Sequence, residues 1–313
     1  MSEQNSAPKF AFYYMLSLVS LIFLSISIGQ IFFQIINKSI DDPIGTFGGN
    51  FSSGTLRFGI SALIISAPVF FTLMRIIYKS LFDGKLNRDS EVRKWLTYFI
   101  LFISSVVMIG WMIATLNNYL NGEITLKFAL KALTSIAIAS IIFSFFFYDI
   151  RRKDVVGAKD KVVSSYFYGS LVLVSVSLIA GFIFSDSPAT VRAKKHDRLI
   201  IENFQQIENA INSFYTENKK LPENLSVLTD RESFKYFVSD QNIKDPQSGK
   251  AYEYRVLEKE RFEICGEFQR TNKDEKDEID KIYVDRWPHE AGRQCFTIRA
   301  QDLVTGEILP IKR

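Results

Sequence analysis

Residues 10–37 have the sequence FAFYYMLSLVSLIFLSISIGQIFFQIIN, a run of 28 residues without one charged side chain. An α-helix rises about 1.5 Å per residue, so roughly 20 apolar residues cross the hydrocarbon core of a bilayer. The run is also longer than the roughly 7–15 apolar residues of a cleavable signal peptide. We therefore expect a membrane-spanning helix that is retained in the mature protein.

Four further apolar runs follow along the chain, separated by short charged segments. None of them alternates polar and apolar side chains with a period of two, so helices are expected rather than membrane strands. The second run is bounded by Arg57 and Arg75, whose long side chains can reach toward the membrane surface. The sequence predicts a membrane all-α bundle of five transmembrane helices, the later four at about 58–74, 95–120, 126–148 and 162–185.

Charge is distributed unevenly between the two parts of the chain. Residues 1–185 carry 16 Lys or Arg and 10 Asp or Glu, whereas residues 186–313 carry 22 and 24. The small basic excess lies in the membrane part, where charges that flank apolar helices set orientation. It therefore gives no indication of a nucleic-acid partner. We expect four spans in residues 1–157, a fifth span and a linker in 158–187, and a small domain in 188–313.

The positions of Lys and Arg near the span ends predict the orientation, because such residues are enriched on the cytoplasmic side. With the N-terminus inside, twelve of them lie in inner segments and eight outside, including the four that follow the fifth span. Five spans then place the C-terminal domain outside the cytoplasm. We expect a multi-pass protein of the cell (inner, cytoplasmic) membrane, with the lipid bilayer as its first partner.

Ionisable side chains are scarce within the predicted spans. Asp, Glu and His mark proton relays and ion sites in membranes, and none lies in a predicted span interior. This argues against a pump or a proton-coupled transporter. Lys131 is either a functional charge or, as we favour, a side chain that extends to the outer interface.

The membrane part resembles a bacterial domain family of unknown function that is built from four transmembrane helices. The likeness covers about residues 10–153. It is carried by four segments: Ala67-Pro68-Val69, Val92 to Tyr98 (VRKWLTY), Leu120 to Phe128 (LNGEITLKF), and Tyr148-Asp149-Ile150-Arg151-Arg152. The family has no assigned activity, so the resemblance implies a helical membrane fold and no chemistry.

A new helix is predicted after the fifth span, because Ser187 can cap it and Pro188 suits its first turn. Apolar residues then recur at three- and four-residue spacing, which is typical of a helix with one buried face. The apolar stripe contains Ile200, Phe204, Ile207, Ile211 and Phe214, and the opposite side Glu202, Gln205, Glu208 and Asn212.

Strand patterns follow a turn at 245–249 (DPQSG). Alternation in 252–256 and 262–268 predicts a β-hairpin, and Phe296 and Ile298 suggest a third strand. The expected C-terminal domain is a small α+β unit in which one long helix lies across an antiparallel sheet.

This part resembles the globular domains of type IV pilins and type II secretion pseudopilins over about residues 190–257. The matching residues are Phe204 to Ala210 (FQQIENA), Phe214-Tyr215, Asn218, Leu221-Pro222, Leu225, Leu228, Lys244-Asp245-Pro246, Gly249 and Tyr252-Glu253-Tyr254. The resemblance implies a pilin-like fold outside the cytoplasm. The chain lacks the Gly-Phe-Thr-Leu-Ile-Glu cleavage motif of pilins before or within its fifth span, so we expect no prepilin-peptidase processing.

The chain has two cysteines, Cys265 and Cys295, and both lie in the domain that the topology places outside. An even number in an oxidising compartment predicts a disulfide, here between the hairpin and the last strand. The alternative is a metal site formed by both cysteines and His289. It has three candidate ligands and lacks the close paired spacing of zinc sites.

Trp287-Pro288-His289 is either a recognition surface or a loop packed beneath the disulfide, and we favour packing. The acids within 274–280 suggest either a calcium site or, as we favour, a solvated loop without the regular ligand spacing of an EF-hand. His196 is expected to be solvated. No nucleophile elbow, P-loop or dinucleotide fingerprint is present, so we expect no enzyme and no cofactor.

Two functions fit these features. The first is a non-enzymatic envelope protein whose pseudopilin-like domain binds another envelope or secretion-system protein. The second is a component of a small-solute transporter or channel with an accessory outer domain. A polar, water-accessible space between the spans would favour transport, and dry packing would favour a membrane anchor.

Overall fold

A computed structural model describes residues 7–40, 49–84, 86, 90–152, 157, 160–229 and 238–301. The chain forms two compact units, Met1–Ser185 and Asp186–Arg313. We call them the membrane unit and the C-terminal unit, and each is described by itself.

Five long apolar helices form the membrane unit, which confirms the predicted fold class. Each is long and apolar enough to cross a membrane, so the protein is a multi-pass membrane protein. The observed helices extend beyond the predicted apolar runs at most of their ends because their terminal turns include polar residues. The helices are α1 (Ala7–Ser39), α2 (Ser53–Phe82), α3 (Glu91–Leu120), α4 (Leu126–Arg151) and α5 (Lys161–Phe184).

Side-chain caps fix where three of these helices begin. Ser52, Thr125 and Asp160 precede α2, α4 and α5, and each side chain accepts a hydrogen bond from a backbone N–H of the first turn. The Asp160 carboxylate accepts from Val162 N at 2.8 Å. Such caps satisfy amide groups that have no partner within the helix.

The helices of the membrane unit pack mainly in two antiparallel pairs, α1 with α2 and α3 with α4, and α5 lies against α1 and α2. The contact of α5 with α2 depends on Gly181, because a Cβ there would lie 2.9 Å from Ile60 Cγ1. Small residues allow membrane helices to approach closely. Near the same end of α5, Lys38 Nζ of α1 donates to the Phe184 carbonyl, the last of α5, at 2.9 Å.

The C-terminal unit is a long helix on a three-stranded antiparallel sheet, as predicted. The sheet order is β1-β2-β3, and α6 contacts β2, where a Cβ on Gly266 would lie 2.9 Å from Phe204 Cζ. The elements are α6 (Pro188–Asn218), a turn of 3-10 helix (Leu225–Thr229), β1 (Glu253–Glu258), β2 (Arg261–Phe268), α7 (Glu278–Lys281) and β3 (Gly292–Arg299).

The apolar stripe of α6 is buried as predicted, but the buried face is wider than expected. Ser187 caps the helix and Pro188 opens it. Glu208 and Asn212, which we expected on the exposed side, are buried. Each has a polar partner: Glu208 Oε1 accepts from Arg286 Nη2 at 2.5 Å, and Asn212 Oδ1 accepts from Gln301 N at 2.9 Å.

Candidate functional site

A buried charge cluster joins α3 to α4 in the membrane unit. Arg93 Nη2 donates to Asp149 Oδ2 at 2.6 Å and to the Asp149 carbonyl at 3.1 Å. The two side chains are 5% and 6% exposed. An ion pair buried this deeply is stable only when both partners are present, because each charge has lost its contact with water.

The cluster continues toward the start of α5. Arg152 lies 3.6 Å from the second Asp149 oxygen and 3.4 Å from Asp160. Tyr148 Oη donates to the same Asp160 oxygen at 2.9 Å. The charges of Arg93, Asp149, Arg152 and Asp160 therefore neutralise one another in a chain of pairs.

The space beside this cluster is small. A cavity of about 20 Å³ is bordered by Tyr14, Tyr78, Arg93 and Asp149, among others. A cavity needs roughly 10–15 Å³ to hold one water molecule, so no larger solute fits here. The arrangement can hold helices together, but it has no room for a substrate.

Two lysines lie near the opposite end of α4. The side chains of Lys127 and Lys131 are buried, and Lys131 Nζ lies 5.7 Å from the centroid of the Phe33 ring. The expected extension of Lys131 to the outer interface stays a prediction, and its ammonium group lies beside an aromatic ring of α1. Such a contact between a cation and a ring is favourable.

A larger opening, which we call the apolar cleft, lies between α1, α2, α4 and α5. Its volume is about 680 Å³ and it is partly open to the surroundings of the bundle. Arg75 and Lys79 of α2 border it. The remaining lining is mainly apolar and aromatic, and includes Leu24, Phe71, Met74, Ile142, Phe167 and Leu173.

Cys265 and Cys295 of the C-terminal unit form a disulfide, as predicted. They are direct partners across β2 and β3, with their Cα atoms 4.0 Å apart. Residues directly opposite in an antiparallel pair approach to about 4.5 Å, so these positions in the sheet bring the two cysteines close together. Glu263 lies near both sulfurs, but sulfurs that are bonded to each other are not thiolate ligands for a metal.

The segment Trp287-Pro288-His289 packs into the core of this unit, and His289 is not near the cysteines as a third ligand. The Trp287 indole is buried and lies 5.0 Å from the Phe296 ring. His289 stacks on Phe268 with ring centroids 4.0 Å apart, and its Nδ1 donates to the Trp287 carbonyl at 2.8 Å. Burial lowers the pKa of His289.

The acidic segment 274–280 is held by basic residues of α6. Glu275 lies 2.8 Å from Lys194, and Asp280 is paired with Arg198. Burial raises the pKa of Asp280, and its bonds to Arg198 oppose that rise. Glu275 and Asp280 are therefore engaged in ion pairs within the C-terminal unit.

His196 is not solvated as expected. It lies between two carboxylates, with Nδ1 3.3 Å from Asp197 and Nε2 3.3 Å from Asp245. Asp197 is buried and also accepts the backbone N–H groups of Gln269 and Arg270 at 2.8 and 2.9 Å. These bonds tie α6 to the end of β2.

Sequence reasoning missed the pairing of Arg93 with Asp149. The available signal was that Asp149 is the only acidic residue in the fourth apolar run and its flank up to Arg152. An isolated acid at the end of a membrane helix needs a cation, but the sequence does not say which helix supplies it.

A family model matches residues 11–146. Its description is "Domain of unknown function (DUF5671)". The match covers most of α1 to α4, which confirms the resemblance of this region to a family of unknown function. No curated protein and no solved structure matches the chain, so the likeness of the C-terminal unit to pilins has no support beyond the shared α+β arrangement.

Proposed function

We propose that this protein is a non-enzymatic membrane anchor that presents its C-terminal unit outside the cytoplasm for binding to another envelope protein. The observation that carries the proposal is the disulfide between Cys265 and Cys295. Disulfides persist in oxidising compartments and are rare in the cytoplasm. An odd number of spans and the excess of Lys and Arg in the inner segments favour the same orientation.

The charges that follow α5 oppose this orientation less than their number suggests. Lys194 is hydrogen-bonded to Asp186 at 2.8 Å and paired with Glu275, and Arg198 is paired with Asp280. Burial alone would lower the pKa of Lys194, but its hydrogen bonds to both carboxylates raise it. In addition, long loops and whole domains are translocated largely regardless of their charge.

The membrane unit fits an anchor better than a transporter. Among its described residues, the buried charged side chains are Arg93, Lys127, Lys131 and Asp149, and all lie within the first two turns or the last turn of α3 or α4. The apolar cleft contains no acidic residue. A path for polar solutes requires polar groups at mid-membrane depth.

The pseudopilin-like role rests on the order of elements. A membrane helix, a second helix and an antiparallel sheet follow one another, and α6 covers the sheet. A partner would then contact the exposed surface of the C-terminal unit. Ile282, directly after α7, is 72% exposed and is the most exposed large apolar residue among the described residues of this unit.

The orientation is tested with reporters fused after Arg313. We expect alkaline phosphatase, which folds only outside the cytoplasm, to be active, and a fluorescent protein that matures only in the cytoplasm to be dark. The reverse pattern would overturn the proposal. A mature form that begins near residue 158 would contradict the expected absence of prepilin-peptidase processing.

The partner is sought with a photo-crosslinking residue at position 282 of the full chain in intact cells. We expect one discrete adduct with an envelope protein. The same residue at the exposed position 223 is the control and should give little of this adduct. Equal, diffuse labelling at both positions would argue against a specific partner.

A further inference from the structure

We propose that the apolar cleft binds an anionic glycerophospholipid, with its acyl chains between α2, α4 and α5 and its phosphate at Arg75 and Lys79. The volume of the cleft, about 680 Å³, lies within the range of small-molecule sites, roughly 300–1,000 Å³.

The dimensions of the cleft fit one leaflet of a bilayer. Along α2 the lining extends from Phe70 to Phe82, which is about 18 Å at the helical rise per residue. The hydrocarbon of one leaflet is about 15 Å deep, half of a core of about 30 Å. The cleft therefore extends from the end of the bundle to about mid-membrane, as an acyl chain does.

The two cations of the cleft are available to a ligand. Arg75 and Lys79 are four residues apart on α2, so their side chains lie on one face of the helix. Both are exposed, and in the described part of the chain no carboxylate lies within 4.0 Å of either. Arg93 and Arg152, at the same end of the helices, are paired with acids.

The lining favours a lipid over a soluble anion. The rings of Phe71 and Phe167 make an edge contact with centroids 5.4 Å apart. The lining also includes Tyr166 and Tyr168, near the start of α5. Tyrosine is enriched where membrane hydrocarbon meets the headgroups. Basic sites between membrane helices bind anionic headgroups, and an apolar cleft beside them adds a place for the chains.

Native mass spectrometry of the full chain tests the proposal. The protein is released from bilayers of phosphatidylcholine and phosphatidylglycerol, and the lipids that remain bound are counted. We expect phosphatidylglycerol to be retained preferentially. The double variant Arg75→Gln/Lys79→Gln should weaken retention about thirtyfold, because each cation contributes a factor of about five.

The matched control removes the same charge at the same end of the helices. Arg151 and Lys161 are exposed, and neither lines the cleft. The variant Arg151→Gln/Lys161→Gln should retain phosphatidylglycerol as the natural protein does. Equal loss in both double variants, or equal retention of the two lipids by the natural protein, would overturn the proposal.

A second variant tests the acyl part of the site. Met74→Trp should fill the cleft and reduce retention of both lipids. The lipid that is still retained should show the same preference for phosphatidylglycerol over phosphatidylcholine. Glycerol 3-phosphate, which carries the phosphate without acyl chains, should not displace the bound lipid. Displacement by it would show a site for soluble phosphate instead. Thermal unfolding of each variant in detergent verifies that the fold is retained.

Discussion

The two units of this protein handle charge in different ways. In the membrane unit, Arg93 and Asp149 are both almost fully enclosed, at 5% and 6% exposure. In the C-terminal unit, Glu208 is equally enclosed, but its partner Arg286 is 60% exposed. A pair with one member in water can exchange its partner for water, whereas an enclosed pair cannot. The comparison indicates that an enclosed ion pair fixes helix positions in the bundle, whereas the ion pair of Glu208 and Arg286 lies at the border of the C-terminal core.

The largest effect should come from removing one member of the enclosed pair. Arg93→Ala leaves Asp149 buried without its main cation, and we expect a loss of about 3–5 kcal/mol in the free energy of unfolding. Thermal unfolding of the full chain in detergent measures it. The control Arg255→Ala removes a member of an exposed pair in β1 and should cost less than about 1 kcal/mol.

Replacing both members sharpens this prediction. Arg93→Met combined with Asp149→Leu should recover much of the loss, because no charge remains unpaired and Arg152 retains Asp160. If Arg93→Ala is no more harmful than Arg255→Ala, the cluster does not hold the bundle together and the comparison between the units fails.

The next largest effect should be loss of the disulfide. In the chain-entropy model, a bond that closes a loop of 30 residues stabilises by about 3.7 kcal/mol. Cys265→Ser should lower the melting temperature of the C-terminal unit about as much as reduction does. Cys295→Ser should match it without adding to it, and the membrane unit should be unaffected. Alkylation of both thiols in native, unreduced protein would show that the bond is absent.

A glycine in each unit allows a close approach, which gives a matched pair of smaller effects. In Gly266→Ala the added Cβ would lie 2.9 Å from Phe204 Cζ, and in Gly181→Ala it would lie 2.9 Å from Ile60 Cγ1. Overpacking of this kind costs about 1–3 kcal/mol, so both variants should unfold at lower temperature. Gly110→Ala, which meets no atom within 4 Å, should be neutral or slightly stabilising. Equal effects at all three positions would show that close packing is not the cause.

The smallest effect should be a pH dependence confined to the C-terminal unit. Burial lowers the pKa of His289 below its usual 6.5, so the unfolded chain takes up a proton at a higher pH than the folded chain does. The contribution to stability is therefore full above pH 6.5 and is lost as the pH falls through the lowered pKa.

Unfolding followed between pH 7.5 and the mildly acidic range measures this effect. His289→Gln should reduce the slope of stability against pH, because it removes the buried ring. An unchanged slope in His289→Gln would assign the pH dependence to other groups.

The large features of the fold were predictable because they depend on local patterns. Long uncharged runs specify membrane helices, and the period of the α6 stripe specified which face is buried at Phe204 and Ile207. Period-two alternation specified the strands. It did not specify burial at the sheet edge, where Val256 is exposed because no further described strand or helix covers it.

The features that were missed depend on pairing across long distances in sequence. Glu208 is buried with Arg286, on a later loop, as its partner. Asp149 is buried with Arg93, 56 residues away in the sequence, as its partner. A residue's own neighbours in sequence do not report such partners. The apolar cleft was not predictable for the same reason. Its walls belong to four helices, and its shape depends on the angles and distances between them.

The hydrogen bond from Lys38 to the last carbonyl of α5 has a mechanical consequence. A cation at the end of a helix satisfies a carbonyl that lacks a partner and is favoured by the helix dipole. Here the cation belongs to α1, and α5 is the segment that continues into the C-terminal unit. Tension applied to the chain beyond Phe184 is therefore shared between α5 and α1.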